Sequence, residues 1–460
     1  MIRAFALILL LGSLAAGCLP DPLSRPEAGK TLVHTAGAPD FDMEVVEEAT
    51  DSTNGILLTL RLPHASLIFT RSGSGQLALY EYRVRIVPAE DSAGMVDEVF
   101  ADSLRVRQPP PKDAQTLTTR SYRLAPGSYR VDVEMTDLNT GGTALRSQRA
   151  EVFALSDGCA HISRFRIFQR ARGLVSPYLP FYIPADAESL EAVARVYNPR
   201  AVLGRKLSAA LITYRTDTAL ASPPHYFSPT AWDLSYRGVA FHRPETVWVR
   251  PIYVSGDTTA SIRFPFGSIP RGFYELVVEG SSGPCGEEEE PSPIRRHGYL
   301  AVFGPAFPRL TSIAQLIGPL AYFARPDEIG EILSAGTPEA QRSRFDRFWL
   351  RLAGSPESAT NVIRQYYTRV EQANLLYSSY KEGWKTDKGM VYIVFGPPGY
   401  IDRTYRAESW DYDNGYRFTF RTTNPMRADE PTRVWVLDRN VGYEGVWTKY
   451  VDLLRSGKAY

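Results

Sequence analysis

Alternating hydrophobic and polar positions mark much of the first two thirds of the chain and predict β-strands. Residues 55–62 alternate and stop at Pro63, and residues 79–87 alternate almost without a break. Successive side chains of a strand point to opposite faces, so a two-residue period indicates strands with one buried face. Residues 246–254 and 273–278 have a similar strand-like character. We therefore expect this part of the chain to be all-β.

Two turn-strand units within the β-rich part resemble each other. Ala-Pro-Gly-Ser leads into a strand in residues 125–135, and Ile-Pro-Arg-Gly leads into one in residues 269–278. A turn of this kind before an alternating final hairpin is common in immunoglobulin-like sandwiches. We predict two tandem all-β immunoglobulin-like sandwiches, over residues 41–156 and 157–306.

Beyond the second β region the apolar residues recur every three or four positions, which predicts helices. Thr337 is suited to cap a helix whose first turn holds Pro338. A further helix is expected over residues 357–380. The segment Met390–Phe395 is apolar throughout and is predicted to be a central strand. Short strands should follow, so residues 307–460 are expected to form an α+β domain with helices first and a small sheet after.

The N-terminus resembles a bacterial lipoprotein signal. A positive flank precedes an apolar run at residues 4–11, which is too short to span a bilayer as a mature helix. We expect residues 1–17 to be removed and Cys18 to carry the lipid; an ordinary signal with an unmodified cysteine is the alternative. Leu19 favours the outer membrane over inner-membrane retention. Residues 18–40 are rich in Pro, Gly, Ala and Ser, which predicts a flexible tether.

The chain has three cysteines, and lipidation of Cys18 would leave an even pair. Cys159 and Cys285 lie near the two ends of the second β region. An oxidising compartment permits a bridge between them. We predict that disulfide, with two separate buried thiols as the alternative.

Composition and charge narrow the classes of function. A chain of 460 residues with 44% hydrophobic and 22% charged residues indicates an ordinary globular protein of two to four domains. Lys and Arg number 52 against 51 Asp and Glu, so no basic excess exists to attract nucleic acid. We expect no nucleic-acid partner.

The most specialised stretch runs from Gly383 to Arg403. It combines Gly, Trp, Thr, Asp and two prolines around one short apolar segment. We expect Gly383 to adopt the positive φ of a helix C-cap, and Thr386 and Asp387 to bond nearby backbone N–H groups. Trp384 would cover the junction. A folding role therefore explains the whole stretch without any ligand.

This stretch, together with the helix at residues 344–349 and the one around Tyr366, resembles the signature of the GWxTD-domain family of bacterial envelope proteins. The resemblance covers roughly residues 338–416, in order and in spacing. Lys388 stands where the family more often has Arg. The family is known by its motif, without an assigned activity. The resemblance therefore implies a location in the cell envelope and a domain architecture, and it leaves the biochemical activity open.

Recognition is the functional interpretation of the motif, because an aromatic anchor, a carboxylate and rigid exposed backbone suit a binding groove. The ligand- or partner-binding candidates are Gly383, Trp384, Thr386, Asp387, Gly389, Gly396, Pro397, Pro398 and Trp410. The last histidine is His297 and the last cysteine is Cys285, so residues 307–460 cannot build a Ser-His-Asp, Cys-His or His/Cys zinc site. No cofactor motif and no metal site is expected.

Carboxylate chemistry stays open as an alternative. Asp387 could act with Glu408 or Asp411 in a glycosidase-like mechanism if folding brought two of them together. The favoured expectation is a lipid-anchored envelope protein whose C-terminal domain binds an envelope protein or glycan without catalysis, as an accessory of a surface or secretion assembly. A hydrolase acting on an envelope glycan is the second hypothesis, and a purely structural lipoprotein is the third.

Overall fold

The computed structural model describes residues 31–50, 53–89, 96–108, 110–111, 114–155, 158–171, 174–185, 189–226, 238–256, 258–267, 269–285, 290–413, 415–422 and 433–456. The predicted signal at residues 1–17 and the lipidation site Cys18 lie outside these ranges. No helix within the described ranges is both long and apolar enough to cross a membrane.

Strands make up most of the described secondary structure. They are β1 (Thr31–Thr35), β2 (Asp42–Thr50), β3 (Thr53–Pro63), β4 (Thr70–Ser72), β5 (Gly75–Pro88), β6 (Val96–Val106), β7 (Gln115–Arg123), β8 (Gly127–Asp137), β9 (Thr143–Val152), β10 (His161–Ile162), β11 (Arg166–Ala171), β12 (Leu174–Pro177), β13 (Tyr182–Pro184), β14 (Leu190–Tyr197), β15 (Lys206–Thr216), β16 (Val239–Tyr253), β17 (Thr259–Pro265), β18 (Gly272–Ser282), β19 (Ser292–Phe303), β20 (Tyr400–Arg403), β21 (Ala407–Asp411), β22 (Arg417–Thr422) and β23 (Trp435–Leu437).

The α-helices lie in the C-terminal third, as predicted. They are α1 (Ile313–Ile317), α2 (Pro326–Leu333), α3 (Pro338–Ala353), α4 (Pro356–Tyr377), α5 (Asp387–Phe395) and α6 (Glu444–Arg455). Thr337 caps α3, since its hydroxyl accepts a hydrogen bond from the Ala340 N–H at 3.2 Å. The predicted helix start at this position is therefore confirmed.

The first β region encloses one core between two sheets. Strands β2, β3 and β7 form a three-stranded sheet that packs on β5, β8 and β9 of a larger one. The predicted alternation is present in β5, where Ala78, Tyr80, Tyr82, Val84 and Ile86 are buried. Side chains of both sheets share one buried cluster, so the two sheets stabilise each other.

The middle β region has two five-stranded sheets. One has the order β10-β14-β11-β12 with β17 paired to β14, and the other has the order β13-β19-β18-β15-β16. The disulfide predicted between Cys159 and Cys285 is present, with the two Cα atoms 5.1 Å apart. It joins the two ends of this region across 126 residues of sequence.

A ten-stranded sheet connects the first region with the C-terminal domain, in the order β23-β22-β21-β20-β1-β9-β8-β5-β4 with β6 paired to β5. Strand β1 lies between the two parts, since His34 is opposite Ile401 on one side and Ala144 on the other. Residues 31–35 were expected to belong to the flexible tether, and they form this connecting strand instead.

The strand predicted at Met390–Phe395 is wrong, because these residues belong to helix α5. All nine residues of α5 are buried. A helix that is buried on every side has no polar face, and its apolar run cannot be told from a central strand by periodicity. The deciding signal was Thr386, which caps α5 by accepting a hydrogen bond from the Gly389 N–H at 3.0 Å.

Candidate functional site

A cleft of about 2100 Å³ lies where the first region, the middle region and the C-terminal domain meet. The first region contributes the residues around β1 and the edge of β9, and the middle region contributes residues 179–182 and 217–222. The C-terminal domain supplies the end of α4, the start of α5 and strand β23. The signature motif therefore lies at the wall of a space that all three regions build.

One wall is held by contacts between the motif and the middle region. The Lys381 ammonium donates to the Ala219 carbonyl at 2.8 Å and lies 3.5 Å from the Asp217 carboxylate. The Ala221 N–H donates to the Lys385 carbonyl at 3.1 Å. The segment just before Gly383 and the start of the motif thus bind residues 217–222 of the middle region.

Asp387 is the centre of a second connection. Its carboxylate accepts two hydrogen bonds from the Arg439 guanidinium, at 2.7 Å and 3.1 Å, and one from the Leu437 N–H at 2.8 Å. Arg439 also donates to the Ser222 carbonyl at 2.9 Å. Because Asp387 and Arg439 are both nearly buried, this bidentate pair fixes β23 and the middle region to the start of α5.

The motif glycines allow close backbone packing. A Cβ at Gly383 would lie 1.9 Å from the Ala373 carbonyl oxygen of α4, and one at Gly389 would lie 1.9 Å from the Gly383 carbonyl oxygen. Neither glycine has a positive φ. The predicted C-cap role of Gly383 is therefore wrong, since α4 ends earlier, at Tyr377, and the reason for glycine is the absence of a side chain.

Trp384 is partly buried against the helical core and does not line the cleft. Its ring packs on Gly318, where a Cβ would come within 2.9 Å of it. The backbone N–H of Trp384 donates to the Asn374 side-chain carbonyl at 3.1 Å, and its backbone carbonyl accepts from the Tyr322 hydroxyl at 2.6 Å. The ring contact with Gly318 accounts for the tryptophan as an anchor, and the backbone hydrogen bonds hold its loop in place.

The remaining binding candidates divide between wall and core. Gly396, Pro397 and Pro398 end α5 and line the cleft, and Pro397 is exposed. Gly396 has a φ of 84°, which favours glycine. Trp410 is fully buried. Of the nine candidates, the cleft is lined by Thr386, Asp387, Gly396, Pro397 and Pro398, whereas Gly383, Trp384, Gly389 and Trp410 lie behind it.

Glu408, a candidate for carboxylate chemistry, is buried within an ionic network. Lys388 contacts one carboxylate oxygen at 2.8 Å and Arg403 contacts the other at 2.7 Å, while the Trp410 indole N–H donates at 2.7 Å. Burial alone would raise the pKa of Glu408, but the two cations and these hydrogen bonds lower it well below the ordinary value. Glu408 therefore stays ionised and is poorly suited to donate a proton.

The other two candidate carboxylates are also paired. Asp387 is bound by Arg439, and Asp411 is bound by Arg417 at 2.5 Å. The described contacts thus place each candidate carboxylate against its own cation. Within the described ranges, no group of three or more His, Cys, Asp or Glu side chains is arranged to hold a metal ion.

Part of the cleft lining, formed by His34, Asp40, Arg146 and Tyr377 and here called the inner end, consists of residues that the sequence did not single out. Asp40 lies 3.1 Å from Arg146, and burial raises the pKa of its carboxyl to about 6 although Arg146 opposes this. His34 and Tyr377 line the same space. Burial and Arg146 lower the pKa of His34 to about 4, so the imidazole is neutral at pH 7. Asp40 and His34 were missed because residues 18–40 were assigned to a tether.

Comparisons with known proteins identify the C-terminal part. Residues 291–456 match the family model described as GWxTD domain. The match starts at the beginning of β19 and so includes His297, which lies before the residues 307–460 predicted as the domain. No curated protein matches the chain. Among solved structures, the crystal structure of red sea bream transglutaminase aligns with 57% of this chain and 31% of its own, at 10% identity and a TM-score of 0.17. A TM-score this low does not establish a shared fold.

Proposed function

Because residues 291–456 form a GWxTD domain, we propose that this domain acts with the two β-rich regions as a binding module without catalytic activity. Its ligand site is the cleft between the three regions. One observation carries this proposal: a space of about 2100 Å³ whose walls come from all three. Small-molecule sites occupy roughly 300–1000 Å³, so this space suits a larger ligand, such as a segment of an envelope protein or of a glycan.

The motif supports such a site by holding its walls in place. Asp387 fixes Arg439, and Arg439 in turn reaches Ser222 of the middle region. Lys381 holds Ala219 of the same segment. The buried pairs of the motif therefore serve to position the regions around the cleft.

The cellular setting belongs to the same proposal. The lipoprotein-like signal would place the lipid on Cys18 and the protein in the cell envelope, with the outer membrane as its site. A binding module anchored there would suit an accessory component of a surface or secretion assembly.

We also propose that the two β-rich regions are immunoglobulin-like sandwiches. In the first region the Tyr129 hydroxyl donates to the Ala125 carbonyl at 2.8 Å, and in the middle region the Tyr274 hydroxyl donates to the Pro270 carbonyl at 2.8 Å. A tyrosine at the start of a strand that bonds back to the preceding turn is a hallmark of that fold, the tyrosine corner. The repeated turn-strand units of the sequence contain these two tyrosines.

The contacts do not favour the alternative, a carboxylate-dependent hydrolase. Such an enzyme needs one carboxyl group that can donate a proton and a second that can act as base or nucleophile. Asp387, Glu408 and Asp411 each lie against arginine or lysine. The cations beside Glu408 lower the pKa of its carboxyl, so it is a poor proton donor. Asp387 and Asp411 are each held in an ion pair with arginine and are not presented together as an acid and a base.

Blocking the cleft tests the proposal. Ser147 is exposed on β9 and lines the cleft, whereas Ser103 is exposed on β6 outside it. We expect crosslinking in intact envelopes to capture a partner with wild type and with Ser103→Trp, and to lose it with Ser147→Trp. Equal capture by both variants would remove the cleft as the binding site. Catalytic turnover of that ligand by the purified protein would contradict a module without activity.

A further inference from the structure

We infer that the ligand of this cleft is a glycan chain without net charge, bound at the inner end by His34, Asp40, Arg146 and Tyr377. This inference rests on the proposed binding function and names the class of ligand. Its starting point is the chemistry of the inner end. Polar side chains from β1, β9 and α4 converge there, although they lie far apart in sequence.

Three ion pairs of the protein lie along this part of the cleft lining. Asp40 faces Arg146, Asp42 faces Arg61, and Glu408 faces Lys388. A highly charged ligand would compete with these pairs, and separating the buried Glu408–Lys388 pair would leave one partner buried alone, which is costly. A paired carboxylate and guanidinium still present acceptor and donor atoms side by side. Hydroxyl groups, which both donate and accept, are the complement of that arrangement.

Two further polar groups at the inner end have no partner within the described part of the chain. Neither the Tyr377 hydroxyl nor the His34 ring makes a hydrogen bond to any described residue, and both line the cleft. Tyr377 is held by its ring against Trp410, with ring centroids 5.2 Å apart. A neutral imidazole offers one donor and one acceptor, so these two groups add hydrogen-bonding capacity that suits sugar hydroxyls.

Aromatic faces lie along the same cleft. Tyr405 is 47% exposed and Trp435 is partly exposed, and both line the space. Aromatic rings combine a large apolar face with a polar edge, which matches the apolar face and hydroxyl rim of a pyranose ring. The cleft volume of about 2100 Å³ then points to several sugar units rather than one.

Retention on immobilised glycan tests the inference. The probe is the polysaccharide fraction of the producing cell's own envelope, digested with protease and coupled to a resin. We expect the full-length protein to bind it, and periodate oxidation of the sugar diols to abolish binding. Tyr377→Phe removes one hydroxyl and keeps the ring, so affinity should fall about tenfold. Tyr253→Phe, on exposed β16 outside the cleft, should bind as wild type does.

A second matched pair guards against misfolding. Asp40→Asn alters the paired carboxylate of the cleft, and Asp97→Asn alters a carboxylate that is paired with Arg83 outside it. Only the first should weaken glycan binding. If the resin retains wild type and Tyr377→Phe equally, or if binding survives periodate oxidation of the resin, the glycan inference is wrong. If the cleft binds protein from the undigested envelope instead, the binding module stands and its ligand is a polypeptide. If Ser147→Trp changes no capture at all, the binding module fails as well.

Discussion

At the scale of single residues, the motif is explained mostly by distances inside the protein. Gly383 and Gly389 are glycines because carbonyl oxygens occupy the space that a Cβ would need. Asp387 is an aspartate because it accepts from Arg439 and from the Leu437 N–H together. A sequence motif whose residue types suggest ligand binding can thus be explained by close packing between helices.

Adding one methyl group where Gly389 packs against Gly383 should strongly destabilise the folded protein. We expect Gly389→Ala to destabilise the protein by about 3 kcal/mol or to prevent folding, since its Cβ would meet the Gly383 carbonyl at 1.9 Å. Gly330→Ala is the control, because this glycine in α2 has no neighbour within 4 Å of the added Cβ. The control should gain a few tenths to 1 kcal/mol through helix propensity. Urea unfolding of both variants measures the contrast, and equal stabilities would contradict it.

Acid should weaken the ion pair between Glu328 of α2 and Arg455 of α6. Hydrogen bonds from Arg455, with others from Arg325, lower the pKa of Glu328 from 4.5 to about 2. A lowered pKa in the folded state contributes stability above pH 4.5, and this contribution is lost as pH falls towards 2. Glu328→Gln should therefore destabilise most at neutral pH, and its deficit relative to wild type should shrink over that interval.

The matched control for this pH dependence lies on the same helix. Glu331 pairs with Arg351 at 3.5 Å, and both side chains are about half exposed. Exposed pairs contribute little, so Glu331→Gln should leave the curve of unfolding free energy against pH close to that of wild type. A Glu328→Gln deficit that stays constant from pH 7 to pH 2 would show that Glu328 acts through packing and not through its charge.

At the scale of elements, prediction failed where an element has no exposed face or has only distant partners. Alternation predicted β5, and capping residues predicted α3, because each has one buried and one exposed face. Helix α5 has no exposed face, so its period carried no signal. Strand β1 has five residues beside a Pro- and Gly-rich segment, and its partners Ile401 and Ala144 are distant in sequence.

The candidate site could be predicted only in part for the same reason. Thr386, Asp387 and the Gly-Pro-Pro turn do line the cleft. The opposite wall comes from Asp40, Arg146 and the segment at 217–222, which local patterns cannot bring together. A cleft between three regions depends on long-range pairing, and that information is not present in the period or composition of any single segment.

Breaking β1 should loosen the joint between the first region and the C-terminal domain. His34→Pro removes an N–H at the position that faces both β20 and β9. We expect amide exchange in residues 400–403 to become about tenfold faster or more. Thr70→Pro in the short edge strand β4 is the control and should leave those amides unchanged. Unchanged exchange in His34→Pro would mean that β1 does not hold the joint.

At the scale of the whole molecule, each region contacts the other two. Glu44 and Glu47 of β2 pair with Arg166 and Arg164 of the middle region, and Glu47 is almost fully buried. The middle region is held to the motif through Lys381. With β1 closing the third side, the three regions form a ring of contacts around the cleft. Loss of any one side should therefore alter the cleft.

The disulfide between Cys159 and Cys285 should stabilise the middle region. Closing a loop of 126 residues contributes roughly 4–5 kcal/mol in the chain-entropy model. A reducing agent should lower the melting temperature of wild type and should not change that of the double variant Cys159→Ser, Cys285→Ser. Thiol labelling of both cysteines in the native, unreduced protein would contradict the bridge.

The proposed anchor makes a separate prediction. Cys18→Ser removes the atom that would carry the lipid, so the protein should move from the membrane fraction to the soluble fraction of the envelope. Cell fractionation measures this, with Cys159→Ser as the control, because that cysteine lies in the folded chain. Persistence of Cys18→Ser in membranes would show that another feature anchors the protein.

The position of β1 also governs how the protein can be divided. Strand β20 has β1 as its neighbour, and β1 lies outside the residues 291–456 that match the family. A fragment cut at those boundaries would leave Tyr400–Arg403 as an open strand edge, and open edges recruit other chains. During synthesis β1 is made well before β20, so it can pair with residues 400–403 only after they have been made. The GWxTD domain of this chain thus shares its sheet with a strand, β1, that lies outside the residues matching the family.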